Sequence, residues 1–119
     1  MKVQNYRQVE GNEAAPGVVM RVVAGLAEGA PNFAMRIFEI QPESATPFHS
    51  HPWEHEVFVV SGQGVVRGAD TERQLGEGDA VLVLPDEPHC FAGTGDDVLR
   101  VICVVPLVDG KMPGMPPSD

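Results

Sequence analysis

The chain has 119 residues, enough for one domain that buries roughly two-thirds of the surface its unfolded form exposes, so it can hold a core without disulfide staples. Eight Lys and Arg against 17 Asp and Glu give a formal charge of -9 with no basic run anywhere, which argues against nucleic acid or an anionic membrane as a partner. No apolar stretch approaches the roughly 20 residues of a membrane span, and the polar start from Met1 to Tyr6 is no signal peptide, so the expected compartment is the cytoplasm.

Thirteen glycines and 11 prolines call for short segments joined by turns. Residues 1–16 are polar and mixed, and read as one short edge strand at most, followed by a turn. The β-branched run 18–23, bounded by Gly17 and Gly25, is a strand; 26–32 is a loop; 33–40 is the next strand, ended by Gln41-Pro42. A loop over 42–47 leads into His49-Ser50-His51-Pro52-Trp53-Glu54-His55, which continues as the apolar run 56–60. Because nearly every position of that run is apolar, it reads as a strand covered on both faces. Residues 65–67 should pair back across the Gly62–Gly64 turn as a hairpin, with 71–75 as the outer strand that follows. Another fully apolar strand, 80–84, follows a tight turn at 76–79. The Pro85–Pro88 turn then restarts the chain at His89-Cys90-Phe91, and 98–105 is the last strand. The Pro- and Gly-rich segment 107–119 is expected to be a loosely held arm. No window carries a helical stripe, and strands this short with turns every eight to twelve residues make a sandwich or a barrel. Cys90 and Cys103, both in apolar surroundings, read as buried thiols and not as a disulfide.

Three of the four histidines, His49, His51 and His55, stand at offsets 0, 2 and 6. In an extended segment, even offsets share a face, so these imidazoles would look into one interior while Glu54 and Glu56 look away. Pro52 cannot donate to a ladder, and if the alternation slips there, Glu54 or Glu56 takes the place of His55. His89 arrives in a segment that a barrel would set against the first three, and the four together read as ligands of a divalent metal. Four neutral imidazoles leave the ion its full +2 charge, which favours anions such as hydroxide, hydroperoxide or an enolate. An octahedral ion would keep two open cis positions, whereas tetrahedral Zn²⁺ would be closed and structural. Parity also proposes a pocket: Phe91 shares a face with His89, Arg36 and Phe38 with Ile40, and Cys103 with Val101 and Val105. Phe38 and Phe91 would form an apolar slot, and Arg36 would hold a carboxylate or peroxide, or else sit in an outer salt bridge. Cys103 beside a redox metal would be open to oxidation. Trp53 flanks the mouth or packs a dimer, and Glu54 and Glu56 serve dimer or surface contacts.

These segments resemble the cupin superfamily, whose first motif is G-x5-HxH-x3,4-E-x6-G. Here His49-x-His51 is followed after three residues by His55 and then by Gly62, with histidine in the glutamate place and Glu43 in that of the leading glycine. Gly78 to Gly93 is similar to the second motif, G-x5-PxG-x2-H-x3-N, with the glycine-to-His89 distance kept and Gly93 at the asparagine position. Residues 30–36, 49–59 and 87–89 further resemble the small manganese cupins with a four-histidine site. The resemblance implies an all-β, single-domain cupin barrel (a double-stranded β-helix, jelly-roll-like) over residues 1–106, with 1–16 as an N-terminal edge segment. It also implies a homodimer with one Mn(II) per subunit. The ligand chemistry alone suits Fe, Cu, Ni or Zn. The function so implied is an oxidoreductase that activates peroxide or dioxygen to oxidise or cleave a small alkene or aromatic alkene. The alternatives are a Lewis-acid lyase or isomerase acting on a small oxygenated substrate, and a non-catalytic metal- or small-ligand-binding protein.

Overall fold

The computed structural model describes residues 1–112. Among them nine strands are formed: β1 (Asn12–Ala15), β2 (Val18–Ala24), β3 (Phe33–Ile40), β4 (His55–Ser61), β5 (Gly64–Arg67), β6 (Glu72–Leu75), β7 (Ala80–Val83), β8 (Cys90–Gly93) and β9 (Leu99–Pro106). Among the described residues helix is limited to two single 3-10 turns, Tyr6–Gln8 and Leu26–Glu28. The strands make two antiparallel sheets, one in the order β1-β2-β3-β9-β4-β7 and the other β6-β5-β8. Residues 42–49 run beside β8 through isolated bridges at Pro42, Ala45 and His49, and so widen the smaller sheet without forming a regular strand. Inward side chains from both sheets, among them Val18, Phe38, Ile40, Val57, Val59, Phe91, Leu99 and Val101, form one core cluster. The fold is thus all-β in two facing sheets.

Two expectations are corrected by the pairing. Residues 65–67 do not form a hairpin with the histidine strand: β4 pairs with β7 and β9, while β5 crosses to the other sheet and pairs with β6 and β8. Both edges of β4 are already taken, so the Gly62 corner moves the chain between sheets instead of folding it back. Gly62 has φ +88, and a Cβ there would collide with the Val98 carbonyl oxygen. The second correction concerns the apolar runs 56–60 and 80–84, which are covered on one face only. Burial alternates along β4, leaving Phe58 46% and Val60 39% exposed, and on the β7 side Leu82 is 54% and Leu84 53% exposed. Uninterrupted hydrophobicity here marks an apolar outer surface and not a strand sandwiched between layers.

At the N-terminus β1 joins the edge of the larger sheet beside β2. After β9, Leu107 and Met112 pack against the core and Val108 bridges Lys111, so the beginning of the expected arm is attached; residues 113–119 lie outside the described residues.

The Gly62 corner yields a paired test. Gly78 also has a positive φ, +90, but nothing lies within 4 Å of its would-be Cβ. Left-handed backbone alone costs about 1–2 kcal/mol for a residue with a side chain, partly offset by a stiffer unfolded chain. Gly78→Ala should therefore lower stability in urea by about 1 kcal/mol, and Gly62→Ala, with overpacking added, by about 3 kcal/mol. Equal losses would show that the collision at the corner is relieved without penalty.

Candidate metal centre

The histidines are not gathered by strand alternation. Strand β4 begins only at His55, and residues 49–54 form an irregular turn across Pro52, so the even offsets are not what aligns the rings. The gathering is done by backbone pairing at one end of the barrel. His49 N–H donates to His89 O at 3.2 Å and His89 N–H returns the bond to His49 O at 2.9 Å. Asp86 N–H donates to His51 O at 2.7 Å, tying the histidine turn to the Pro85–Pro88 turn. His55 enters from the side, paired in register with Val83 of β7. Two residues in these turns hold left-handed backbone without being glycine, Glu43 at φ 66 and Asp86 at φ 65. Glu43 stands where the first cupin motif has its leading glycine, and Asp86, counted back from His89, where the second has its glycine. Both positions thus hold the left-handed backbone that glycine adopts most easily, without the glycine.

Each ring of the inner trio is oriented by a backbone carbonyl. His49 Nδ1 donates to Pro47 O at 2.8 Å, His51 Nδ1 to Trp53 O at 2.9 Å and His89 Nδ1 to Glu87 O at 2.8 Å. A carbonyl only accepts, so in each neutral ring the proton sits on Nδ1 and the Nε2 lone pair is left as the donor to a metal. Ligand atoms of His49, His51 and His89 lie within 4.8 Å of one another. Carbonyl-anchored imidazoles with converging Nε2 atoms are the arrangement metal-binding histidines take, and the donor set fits a divalent transition ion. Trp53 stacks flat on His51, with ring centroids 4.4 Å apart and planes 3° apart.

His55 is held differently. Its Nε2 lies 2.5 Å from His51 Nε2, and its Nδ1 faces Cys103 Sγ at 2.9 Å, with Arg36 Nη2 at 3.5 Å. It is 8% exposed, whereas Glu54 and Glu56 are exposed and line a groove on the outer surface, so histidine and not a carboxylate occupies the interior at this corner. Burial, with Arg36 as the next cause, pushes the His55 pKa down to about 2; burial also lowers that of His51.

The histidine cluster opens on a cavity lined by Arg36, Phe38, Ile40, Val57, Phe91, Val101 and Cys103, with Ala14, Thr46 and Pro47 at its edge. Arg36, 1% exposed, points inward and not into an outer salt bridge; its guanidinium lies 5.0 Å from the Phe38 ring centroid and donates to Cys103 Sγ at 3.1 Å. The Phe91 ring centre is 6.2 Å from that of His89. Phe38, Phe91, Arg36 and Cys103 thus surround one space with His49, His55 and His89. Sequence parity did not reach the contributions of Ala14, Thr46 and Pro47, which arrive from the edge strand and the irregular segment. For Trp53, an aromatic two residues from a histidine was the available signal, but its stacking depends on the turn at Pro52.

The depressed histidine pKa gives the metal-free protein a defined acid sensitivity. Below the unfolded value of 6.5 the unfolded chain takes up a proton at His55 that the folded chain refuses until about pH 2, so stability is lost as pH falls through this window. With one pKa unit equivalent to about 1.4 kcal/mol, His55 alone should remove about 2 kcal/mol of stability between pH 7 and pH 5. Urea unfolding of chelator-treated protein should show this loss, and His55→Leu should flatten it; an unchanged pH slope in the variant would assign the acid sensitivity elsewhere.

Similarity to known proteins agrees with this architecture. The protein SchB of Streptomyces halstedii is 26% identical over 102 residues, covering 85% of this chain and 74% of that protein. The structure of the polyketide cyclase RemF from Streptomyces resistomycificus superposes with a TM-score of 0.84 at 25% identity, covering 99% of this chain and 96% of the other. A cupin 2 domain-containing protein from Halorhodospira halophila is 31% identical, with a TM-score of 0.72 and coverage of 82% and 69%. Residues 36–105, more than half of the chain, match the Cupin_2 family of cupin domains, and the chain belongs to that family.

Proposed function

We propose that this cupin is a metal-dependent enzyme holding one divalent ion through His49, His51, His89 and His55, and that it promotes carbon–carbon ring closure in a small, largely apolar, ketone-bearing substrate. The observation that carries the reading is an all-imidazole donor set opening directly on an apolar cavity walled by Phe38 and Phe91. A bound ion supplies Lewis acidity toward a carbonyl oxygen, and a neutral donor set leaves its positive charge undiminished. The chain's own residues do the rest. Phe38, Phe91, Ile40 and Val101 exclude water and pack a flat unsaturated substrate, and the carbonyl-anchored rings keep their orientation without reorganising. The similarity to a polyketide cyclase supports this substrate class. Manganese remains the proposed ion from the cupin resemblance, with Fe, Cu, Ni and Zn compatible with the nitrogen ligands.

The oxidative reading, activation of peroxide or dioxygen to cleave an alkene, is the second. The same neutral set favours it, since the charge that polarises a carbonyl would also hold hydroperoxide. The thiol of Cys103, 2.9 Å from His55 Nδ1, weighs against it, because a thiol beside an oxidising centre is consumed. The two readings separate under anaerobic conditions. A soluble open-chain polyketone should cyclise without oxidant, stop on chelation and resume when the metal is returned; turnover only with peroxide or dioxygen would reverse the ranking. His89→Ala should leave less than half an equivalent of bound metal by elemental analysis.

We also propose that the protein is a homodimer through the outer face of the larger sheet. Register places Met35, Val104, Glu56 and Leu82 in one row and Ile37, Ile102, Phe58 and Ala80 in the next. The row beyond turns polar, with Glu39 bonded to Arg21 and Arg100. Rows that are apolar except for Glu56, with a charged margin, suit an interface core and rim. Sedimentation should give twice 12.8 kDa, and Phe58→Glu should shift the mass to one chain; a monomeric parent would refute the interface.

A further inference from the structure

In the metal-site reading His55 is the fourth ligand, and the role assigned here to its neighbours rests on that reading. The inner three imidazoles are each oriented by a carbonyl two residues away in the chain, those of Pro47, Trp53 and Glu87. Such local acceptors exist because Pro47, Trp53 and Glu87 lie outside the strands. His55 has no such recourse. It opens β4, with the backbone after it in ladders with β7 and β9 and the Trp53 carbonyl before it already taken by His51. Its Nδ1 meets a side chain instead, Cys103 Sγ at 2.9 Å. Cys103 is the register partner of Val57, two residues beyond His55 and on the same face of β4, so the sulfur lies one row from the ring. On its other side Cys103 is the register partner of Arg36, whose Nη2 donates to the sulfur at 3.1 Å. Both residues are buried, Cys103 at 4% and Arg36 at 1% exposure.

We propose that Cys103, held in place by Arg36, is the positioning residue for His55, doing with a side-chain sulfur what backbone carbonyls do for the other three histidines. The consequence is a site of two parts. Three ligands are oriented by the main chain and keep their aim under any side-chain substitution around them. The fourth is oriented by two side chains reaching from β3 and β9, and its engagement depends on them. Changing Cys103 should detach one nitrogen and leave three.

Cu(II) alone is a suitable probe, because the nitrogen hyperfine structure of its electron paramagnetic resonance spectrum counts coordinated imidazoles. Trp53, stacked on His51, reports independently through fluorescence quenching that the inner trio has loaded. Chelator-treated parent protein given one equivalent of Cu(II) should show four nitrogens, and His55→Ala three. Cys103→Val should also show three, with Trp53 still quenched and Cu(II) affinity reduced about 10- to 100-fold. Cys103→Ser, whose hydroxyl can still bond Nδ1, should recover the fourth nitrogen. Arg36→Met serves if Cys103→Val does not fold, and should likewise give three. Four nitrogens in a folded Cys103→Val or Arg36→Met protein would overturn the proposal, since His55 would then need no sulfur to hold it. A parent with three nitrogens, unchanged by His55→Ala, would instead remove His55 from the ligand set and fail the metal-site reading itself.

Discussion

The reciprocal pair of backbone hydrogen bonds between His49 and His89 is the constraint on which the site depends. It joins two segments far apart in the chain, and it does so through main-chain atoms that any residue but proline would supply. The irregular ribbon 42–49 is laid along β8 by bridges at Pro42, Ala45 and His49, and each bridge limits the freedom of the next. Thr46 strengthens the seam, its N–H donating to Phe91 O and its hydroxyl accepting from Phe91 N–H, both at 2.9 Å. Gly93 closes it, because a side chain there would press to within 2.7 Å of the Gln41 carbonyl. One seam therefore places a candidate metal ligand, an aromatic wall and the mouth of the cavity together.

Chemistry at this end of the barrel is shaped by what the rings are denied as much as by what they are given. At His51 and His55 the cost of desolvating the cation favours the neutral ring, which is the form a metal requires. Carbonyl anchors then choose which nitrogen is left bare. His55 departs from the pattern: its Nδ1 meets the Cys103 sulfur, which also accepts from Arg36. The outer face of the same sheet shows the converse arrangement. Residues that alternate with the interior row along β4, such as Phe58, are as apolar as those inside, so the strand carries a core on one side and an exposed apolar face on the other.

Much of the fold is legible residue by residue. The run 33–40 reads at its observed bounds, and 18–23 and 98–105 within one residue of theirs, because β-branched segments flanked by glycine and proline have few alternatives. The interior position of His55 in place of Glu54 or Glu56, and the shared face of Arg36, Phe38 and Ile40, follow from strand alternation. Alternation fails at His49 and His51, which lie outside any strand: a proline at position 52 breaks the period, and the rings meet for a different reason than their spacing. The hairpin expected across Gly62 fails because adjacency in sequence says nothing about which edges of β4 other strands have already filled.

The sequence by itself determined an all-β domain, a cluster of histidines destined for one interior and the apolar lining that would surround it, since these follow from side-chain type and local period. Only the tertiary structure decided which sheet each strand joins, which nitrogen of each ring faces inward, and that a cysteine 48 residues away lies against the ring of His55. Those are properties of long-range pairing, where the free energy of one contact depends on which partners the rest of the chain has left available.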